Sequence, residues 1–113
     1  MMMECNIGIL LASHGEYCHG AKNSLEMIIG DCPDLLCVSV TPSMNNEDVQ
    51  VQMREAYELL KKECSEVLIF TDLLCGSPNH AAVRLMMSRE DITVVTGYNL
   101  AILVELVVAT HQT

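Results

Sequence analysis

Apolar runs of strand length alternate along the chain with longer stretches in which apolar residues recur at helical spacing. This alternation predicts the element order β-α-β-α-β-α-β-α. The four predicted strands cover residues 6–12, 35–41, 67–71 and 92–96. Their side chains are apolar almost without interruption, which is typical of strands in a parallel sheet covered by helices on both faces.

The four predicted helices have recognisable ends. The first covers residues 19–29 and stops at Gly30, a residue type that accepts the left-handed conformation common after a helix. The second begins near residues 45–48, whose side chains can cap exposed amides, and ends around residues 61–64. The third begins with Ser77 as capping residue and Pro78 at the first helical position, and ends near residue 88. The fourth, 99–110, is apolar on several faces, so we expect a further segment or a second subunit to cover it.

Right-handed crossovers between these elements predict a small doubly wound α/β fold with a mostly parallel sheet in strand order 2-1-3-4 and helices on both faces. The length, 113 residues, fits one domain spanning residues 1–113. A sheet of this order has a switch point between strands one and three, and ligands bind there at the carboxyl ends of the strands. No glycine-rich dinucleotide motif follows the first strand, which disfavours classical nucleotide binding.

Composition and charge exclude several classes of protein. Half of the residues are hydrophobic and only 19% are charged, so the chain is not disordered. With 15 acidic against 6 basic residues the net charge is -9, which argues against a nucleic-acid partner. The beginning of the chain carries Glu4 in place of the basic residues of a signal peptide. We therefore expect a cytoplasmic protein.

Six cysteines in so short a chain raise the question of disulfides. No Cys-x-x-Cys pair occurs, and several of the cysteines lie in or beside apolar segments, where a free thiol behaves as a small hydrophobic residue. A reducing cytosol also favours free thiols. The cysteines predicted to be free are Cys5, Cys18, Cys32, Cys37, Cys64 and Cys75.

Polar residues follow the two strands that flank the switch point. Ser13, His14 and Gly15 follow strand one, Asp72 follows strand three, and Gly76 and Ser77 open the next helix. Phosphoryl transfer through histidine needs one ring nitrogen to attack phosphorus while the other holds its proton against an acceptor. Asp72 is the natural acceptor. The amides of Gly15, Gly76 and Ser77, with the Ser77 hydroxyl, are candidates to hold phosphoryl oxygens at the start of a helix.

Each of these residues also has a plain structural explanation as a loop histidine, a turn aspartate, a helix start or a turn glycine. Their joint position at the switch point favours the functional interpretation. His80 lies in the first turn of the third helix, where a solvated side chain is the simpler interpretation. A metal or thiol site from His14, Cys18, His19 and Cys75 is an alternative, although this spacing is not a usual zinc pattern.

Three stretches resemble the IIA domain of the mannose family of bacterial sugar phosphotransferase systems, which also includes fructose and sorbose systems. They are SHG within residues 7–30, TDLLCGSP at 71–78 and VVTGYNLAILVEL at 94–106, and the similarity covers almost the whole chain. The resemblance implies that His14 accepts a phosphoryl group from the phosphocarrier protein HPr and passes it to a IIB domain, with no metal or other cofactor. It assigns the aspartate that orients this histidine to Asp72 and the helix-start serine to Ser77.

The resemblance also implies a homodimer and an indirect connection to membrane sugar permease components, which contact the sugar and leave its identity open. In the family a further strand and helix, beyond the length of this chain, help to build the dimer. Cys75 stands where many relatives have glycine.

Two kinds of alternative function compete with sugar uptake. Similar IIA domains occur in transcriptional activators, where phosphorylation adjusts regulation. Histidine phosphatases and small tetrapyrrole chelatases also place His-Gly after a first strand. The phosphatases need an arginine directly before the histidine, where this chain has Ser13, and the chelatases need further metal-binding residues.

Overall fold

Within residues 5–110, four strands and four helices alternate strictly. The computed structural model describes residues 5–110, with side chains for residues 7–109. The elements are β1 (Cys5–His14), α1 (Tyr17–Ile29), β2 (Leu35–Val40), α2 (Asn46–Lys61), β3 (Cys64–Thr71), α3 (Ser77–Met87), β4 (Ile92–Thr96) and α4 (Leu100–Thr110). The order predicted from the apolar pattern is therefore confirmed.

The strands form one sheet in the order β2-β1-β3-β4, and every neighbouring pair is parallel. The predicted order 2-1-3-4 is confirmed. In the register, Ala12 of β1 lies opposite Thr71 of β3, and Thr71 lies opposite Thr96 of β4. The carboxyl ends of the two central strands, β1 and β3, therefore meet at one edge of the sheet.

Helices cover both faces of the sheet because successive strand residues point to opposite sides. Leu10 and Ala12 of β1 pack into a core with α2 and α3. Ile9 and Leu11 pack into a second core with α1 and α4. The near-continuous hydrophobicity of the strands is thus used on both faces.

Several predicted boundaries need correction, among them the start of β3, which lies at Cys64 and not at residue 67. β1 continues through Ser13 and His14, because these residues pair with Ser39 and Val40 of β2 and extend the ladder beyond residue 12. The helix after it begins at Tyr17, two residues earlier than predicted. Helix α3 begins at Ser77 with Gly76 as its N-cap, so the predicted capping role of Ser77 is wrong. The predicted capping of α2 is confirmed by a reciprocal pair of bonds between Asn45 and Asp48.

Helix α4 buries one side and exposes another. Leu103 and Val107 are buried against the sheet, whereas Leu100, Ile102 and Val108 remain exposed. Within residues 5–110, no helix has the length and apolar character needed to cross a membrane.

Cys18, Cys32, Cys37 and Cys75 are free thiols, as predicted. The side chain of Cys5, and all of Glu4, lie outside the described residues.

Candidate functional site

The candidate site lies where β1 and β3 end, at the switch point of the sheet. His14 is the last residue of β1, and Asp72 is the first residue after β3. From this point the chain turns to one side of the sheet after β1 and to the other side after β3, which opens a crevice between the two connections. The structure thus brings His14 and Asp72 together although 58 positions separate them.

One carboxylate oxygen holds both the ring and the backbone of His14. Oδ2 of Asp72 lies 3.0 Å from Nδ1 of His14 and accepts a hydrogen bond from its backbone N–H at 2.9 Å. The other oxygen, Oδ1, accepts the backbone N–H of Leu73 at 2.9 Å. Because an ionised carboxylate only accepts hydrogen bonds, the proton of the neutral imidazole resides on Nδ1. Nε2 then carries the free lone pair.

The pKa of the Asp72 carboxyl is set by opposing effects. Partial burial raises it, but hydrogen bonds from the backbone and the ring of His14 outweigh burial and hold the pKa below its usual range. The carboxylate is therefore ionised at neutral pH. Its side chain is 13% exposed, against 47% for His14, so the acceptor is sheltered while the ring remains open to solvent.

Gly76 lies directly against the ring of His14. A Cβ atom placed on this glycine would be 2.8 Å from Cε1 and 3.3 Å from Nε2 of the imidazole. Gly76 is the N-cap of α3, whose first amides have no acceptor within the helix. The amino end of an 11-residue helix therefore lies beside the nitrogen with the free lone pair, where it favours a negatively charged group.

Gly15 contributes to the site through its backbone shape. Its φ of 62° lies in the left-handed region, and its N–H donates to the carbonyl of Val40 at 2.8 Å. Its own carbonyl accepts hydrogen bonds from Ser39 Oγ at 2.6 Å and Ser13 Oγ at 3.2 Å. The Gly15 N–H therefore already has an acceptor in β2, and the role of Gly15 in holding phosphoryl oxygens stays a prediction.

Asn79 organises the loop that carries Asp72, and the sequence analysis missed it. This buried side chain donates to Thr71 Oγ1 at 3.0 Å and Thr96 Oγ1 at 3.2 Å, and accepts the N–H of Cys75 at 3.2 Å. Cys75 has a positive φ of 66°. The available sequence signal is weak. It consists of an asparagine in the first turn of a helix, with one strand that ends in threonine before that helix and another after it.

Two tyrosines, the exposed Tyr17 and the buried Tyr98, pack against each other beside the carboxyl end of β1. The Tyr17 hydroxyl donates to the carbonyl of Tyr98 at 2.6 Å, and the ring centroids are 5.1 Å apart. The Tyr98 hydroxyl in turn donates to the carbonyl of Ala12 at 3.3 Å. Leu73 and Leu74, in the connection after Asp72, are both exposed. Exposed apolar side chains therefore lie beside His14 and Asp72, and hydrogen bonds hold the two tyrosines in place.

Other predicted candidates lie outside this arrangement. His80 is exposed on α3, in agreement with its interpretation as a solvated helical residue. Within the described part of the chain, the potential metal ligands that meet are Cys18, His19 and Cys37, not the predicted set that included His14 and Cys75. The structure therefore separates the histidine of the crevice from the thiols of α1 and β2.

Comparison with known proteins gives concordant matches. A family model described as EIIA-man, the PTS (phosphotransferase) system fructose IIA component, matches residues 8–113. The chain is 30% identical over 100 residues to the sorbose-specific PTS EIIA component of Lacticaseibacillus casei, covering 88% of this chain and 71% of that protein. It is 30% identical over 101 residues to the fructose-specific PTS EIIA component of Bacillus subtilis, covering 88% and 67%.

Solved structures show the same likeness. The crystal structure of the PTS IIA protein associated with the fucose utilization operon from Streptococcus pneumoniae superimposes with a TM-score of 0.91 at 31% sequence identity. The match covers 99% of this chain and 84% of that one.

Proposed function

Because the chain belongs to the EIIA-man family of sugar phosphotransferase systems, we propose that it accepts a phosphoryl group from phospho-HPr on His14 and passes it to a IIB domain. The observation that carries this proposal is that the two ring nitrogens of His14 have different surroundings. Asp72 holds Nδ1 at 3.0 Å, while Nε2 faces Gly76 at the amino end of α3. The ring is thereby oriented as a nucleophile with its free nitrogen beside an anion-binding position.

The transfer is a displacement at phosphorus. The lone pair of His14 Nε2 forms the new N–P bond as the N–P bond of the HPr phosphohistidine breaks, and its electrons return to the HPr imidazole. Asp72 holds the Nδ1 proton and stabilises the positive charge that develops on the His14 ring. The amides of Gly76 and Ser77, with the Ser77 hydroxyl, hold the equatorial oxygens. Transfer to the IIB domain follows the same geometry in reverse.

Charge and position supply the catalysis in this proposal, and no cofactor or metal takes part. The negative charge of the transferring group spreads over three equatorial oxygens, so prearranged donors stabilise it without reorganisation. In this scheme the protein acts in the cytoplasm as a phosphotransferase. Membrane permease components contact the sugar, and the chain meets them only indirectly.

The docking surface for HPr and IIB is proposed to be the apolar rim of the crevice. Leu73, Leu74 and Tyr17 are 59%, 71% and 49% exposed and flank the loops that hold His14 and Asp72. Solvent-exposed apolar groups concentrated around a reactive side chain are typical of a protein-binding surface.

Self-association is proposed for a different face, the exposed side of α4. Leu100, Ile102 and Val108 leave an apolar stripe uncovered within residues 5–110. A homodimer in which this stripe is buried would account for its composition. Light scattering of the wild type and an Ile102→Glu variant tests this: the wild type should be dimeric and the variant should shift towards monomer.

Phosphorylation is tested directly with phosphoenolpyruvate, enzyme I and HPr. The wild type should gain the mass of one phosphoryl group in an acid-labile form, and the His14→Ala variant should gain none. His80→Ala is the matched control, because His80 is an exposed histidine on the helix that borders the site, and it should be phosphorylated like the wild type. Labelling of the folded His14→Ala variant, or its absence from folded wild type, contradicts the proposal.

The second step is tested by adding a mannose-type IIB domain to the purified phosphoprotein. Transfer of the label to IIB supports the carrier role. Stable retention of the label by this chain favours the regulatory alternative.

A further inference from the structure

Three potential metal ligands converge where α1 begins. Cys18 and His19 are neighbours in the first turn of α1, and Cys37 lies on β2, at the edge of the sheet. The two sulfur atoms and an imidazole nitrogen all lie within 4.8 Å of one another. Residues 19 positions apart in sequence are thus brought together beside, but separately from, His14 and Asp72.

The spacing is close to that of a tetrahedral metal site. Zinc is bound by cysteine sulfur at about 2.3 Å and by histidine nitrogen at about 2.0–2.1 Å, which places neighbouring ligands roughly 3.5–3.8 Å apart. The three donor atoms, all within 4.8 Å of one another, therefore lie near the separations that one bound ion would require. Cys18 is fully buried, Cys37 is half-buried and His19 is exposed, so the fourth position faces solvent.

The two thiols have opposite shifts in pKa: the hydrogen bond between them lowers the pKa of Cys18 and raises that of Cys37, and burial raises both. Cys18 Sγ lies 3.6 Å from the carbonyl of Val38, and Cys37 Sγ lies 3.4 Å from the carbonyl of Cys18. The Cys37 thiol beside it, assisted by Ser13 and by the nearby His19 ring, lowers the pKa of Cys18, although burial opposes this. Metal coordination requires thiolates, so the binding of an ion at this cluster would release the thiol protons.

We propose that Cys18, Cys37 and His19 form a binding site for one Zn²⁺ ion, with water in the fourth position. Two thiolates and a neutral imidazole around Zn²⁺ give a site with no net charge, which limits the cost of its partial burial. Sulfur and imidazole ligands select a soft or borderline ion such as Zn²⁺ over Mg²⁺ or Ca²⁺. The ion would fasten the start of α1 to the edge strand β2.

The three proposed ligands take no part in the hydrogen bonds that join His14 to Asp72, so this site is separate from the proposed transfer site. The connection between the two is structural: the backbone N–H of Cys18 donates to Ser13 Oγ at 2.9 Å, and Ser13 precedes His14. Zinc bound here would therefore stabilise the folded chain, and its effect is measurable without any assay of transfer.

The experiment is a titration of the reduced protein with Co²⁺, displaced afterwards by Zn²⁺. Wild type should bind one equivalent of Co²⁺ with thiolate-to-cobalt charge-transfer absorption, and Zn²⁺ but not Mg²⁺ should abolish that absorption. Zn²⁺ should also raise the Tm. Cys37→Ser and His19→Ala should each weaken binding by more than the roughly 10–100-fold that loss of a supporting neighbour costs. Cys75→Ser, which removes an exposed thiol elsewhere, is the matched control and should bind as the wild type does.

Several results would overturn the proposal. They are the absence of charge-transfer absorption in folded wild type, equal affinity in the Cys37→Ser variant, and loss of binding in the Cys75→Ser control. The His19→Ala result separates the three-ligand site from metal binding by the Cys18 and Cys37 thiolates alone, because only the three-ligand site needs the imidazole. Unchanged affinity in that variant therefore rules out the three-ligand site. Cys37 is only half-buried and His19 is exposed, so both variants are expected to fold.

Discussion

Two loops meet at the crevice, and they obtain their rigidity in different ways. The first loop, residues 15–16, joins β1 to α1 and follows His14, the proposed nucleophile. It is held by the sheet: the Gly15 N–H donates to the carbonyl of Val40, and the Gly15 carbonyl accepts the Ser39 hydroxyl. Both partners lie on or beside β2, far away in sequence.

The second loop, residues 72–76, joins β3 to α3 and carries the groups that act on the histidine. Its backbone is held mainly by hydrogen bonds within the loop and by hydrogen bonds to α3. Leu73 N–H donates to Asp72 Oδ1, and Cys75 N–H donates to Asn79 Oδ1. Its central leucines are exposed.

This difference in hydrogen bonding indicates that the two loops have different roles. The backbone of His14 is fixed by strand pairing with β2, so little adjustment is possible there. The second loop is longer, supports itself and sets the orientation, electrostatics and free space around the ring. Substitutions in the second loop should therefore separate effects on transfer from effects on stability.

Among substitutions in the second loop, the largest expected effect comes from Asp72→Asn. The amide keeps the shape but loses the charge that fixes the Nδ1 proton and stabilises the cationic ring, so transfer from phospho-HPr should slow by roughly 100-fold without disappearing. Rapid-quench measurement of phosphohistidine formation checks this. Asp31→Asn makes the same charge change at an exposed position outside both loops and should leave the rate unchanged. Equal rates in the Asp72→Asn variant and the wild type would remove the role assigned to this carboxylate.

Gly76→Ala should have the next largest effect on transfer. The backbone at Gly76, with φ -85° and ψ 172°, suits alanine, so the fold should persist. The added Cβ would stand 2.8 Å from His14 Cε1 and displace the ring, and a shift approaching 1 Å can slow a reaction by up to about 100-fold. We expect transfer to slow roughly 10-fold or more.

Gly20→Ala provides the control for this substitution. A Cβ at Gly20, within α1, meets nothing within 4 Å. That variant should transfer at the wild-type rate and gain up to about 1 kcal/mol of stability from its better helix propensity. A wild-type rate in Gly76→Ala would show that the ring tolerates displacement.

The fold and the central pair of the site could be predicted from the sequence because they depend on local patterns. Four apolar runs fix the strands, and the crossover rules fix the order 2-1-3-4. Residues at the ends of adjacent parallel strands must then meet, which brought His14 and Asp72 together. The resemblance of the SHG and TDLLCGSP stretches pointed to the same two residues.

What the sequence could not predict depends on partners distant along the chain. The pairing of His14 with Val40 lengthens β1 and occupies the Gly15 amide, and no local pattern records that register. In the sequence, Asn79 resembles any polar residue in the first turn of a helix. Only the folded structure places it beside two threonines from adjacent strands. The meeting of Cys18 with Cys37 likewise requires the packing of α1 on β2.

Asn79→Ala should reduce stability more than it reduces transfer. The substitution leaves Thr71 and the Cys75 N–H without their partner in a buried setting, which should lower the free energy of unfolding by about 1–3 kcal/mol. Urea denaturation measures the change. Asn23→Ala, also within a helix but exposed, is the control and should change stability by less than about 0.5 kcal/mol. Equal changes in the two variants would mean that the Asn79 network contributes nothing beyond helix propensity.

The smallest expected effect is that of Cys75→Gly. It tests the backbone strain of a positive φ at a non-glycine residue, which is present in the second loop and absent from the first. Gly15 meets a φ of 62° at no steric cost, whereas Cys75 adopts a φ of 66° with a Cβ, which costs about 1–2 kcal/mol. Glycine removes that cost but adds up to about 1 kcal/mol of chain entropy to the unfolded state, so a net gain of up to about 1 kcal/mol is expected. Cys75→Ala isolates the loss of the thiol, since alanine keeps the strained Cβ, and it should stay near the wild type in urea denaturation. A glycine variant no more stable than the alanine variant would show that the loop relaxes this conformation elsewhere.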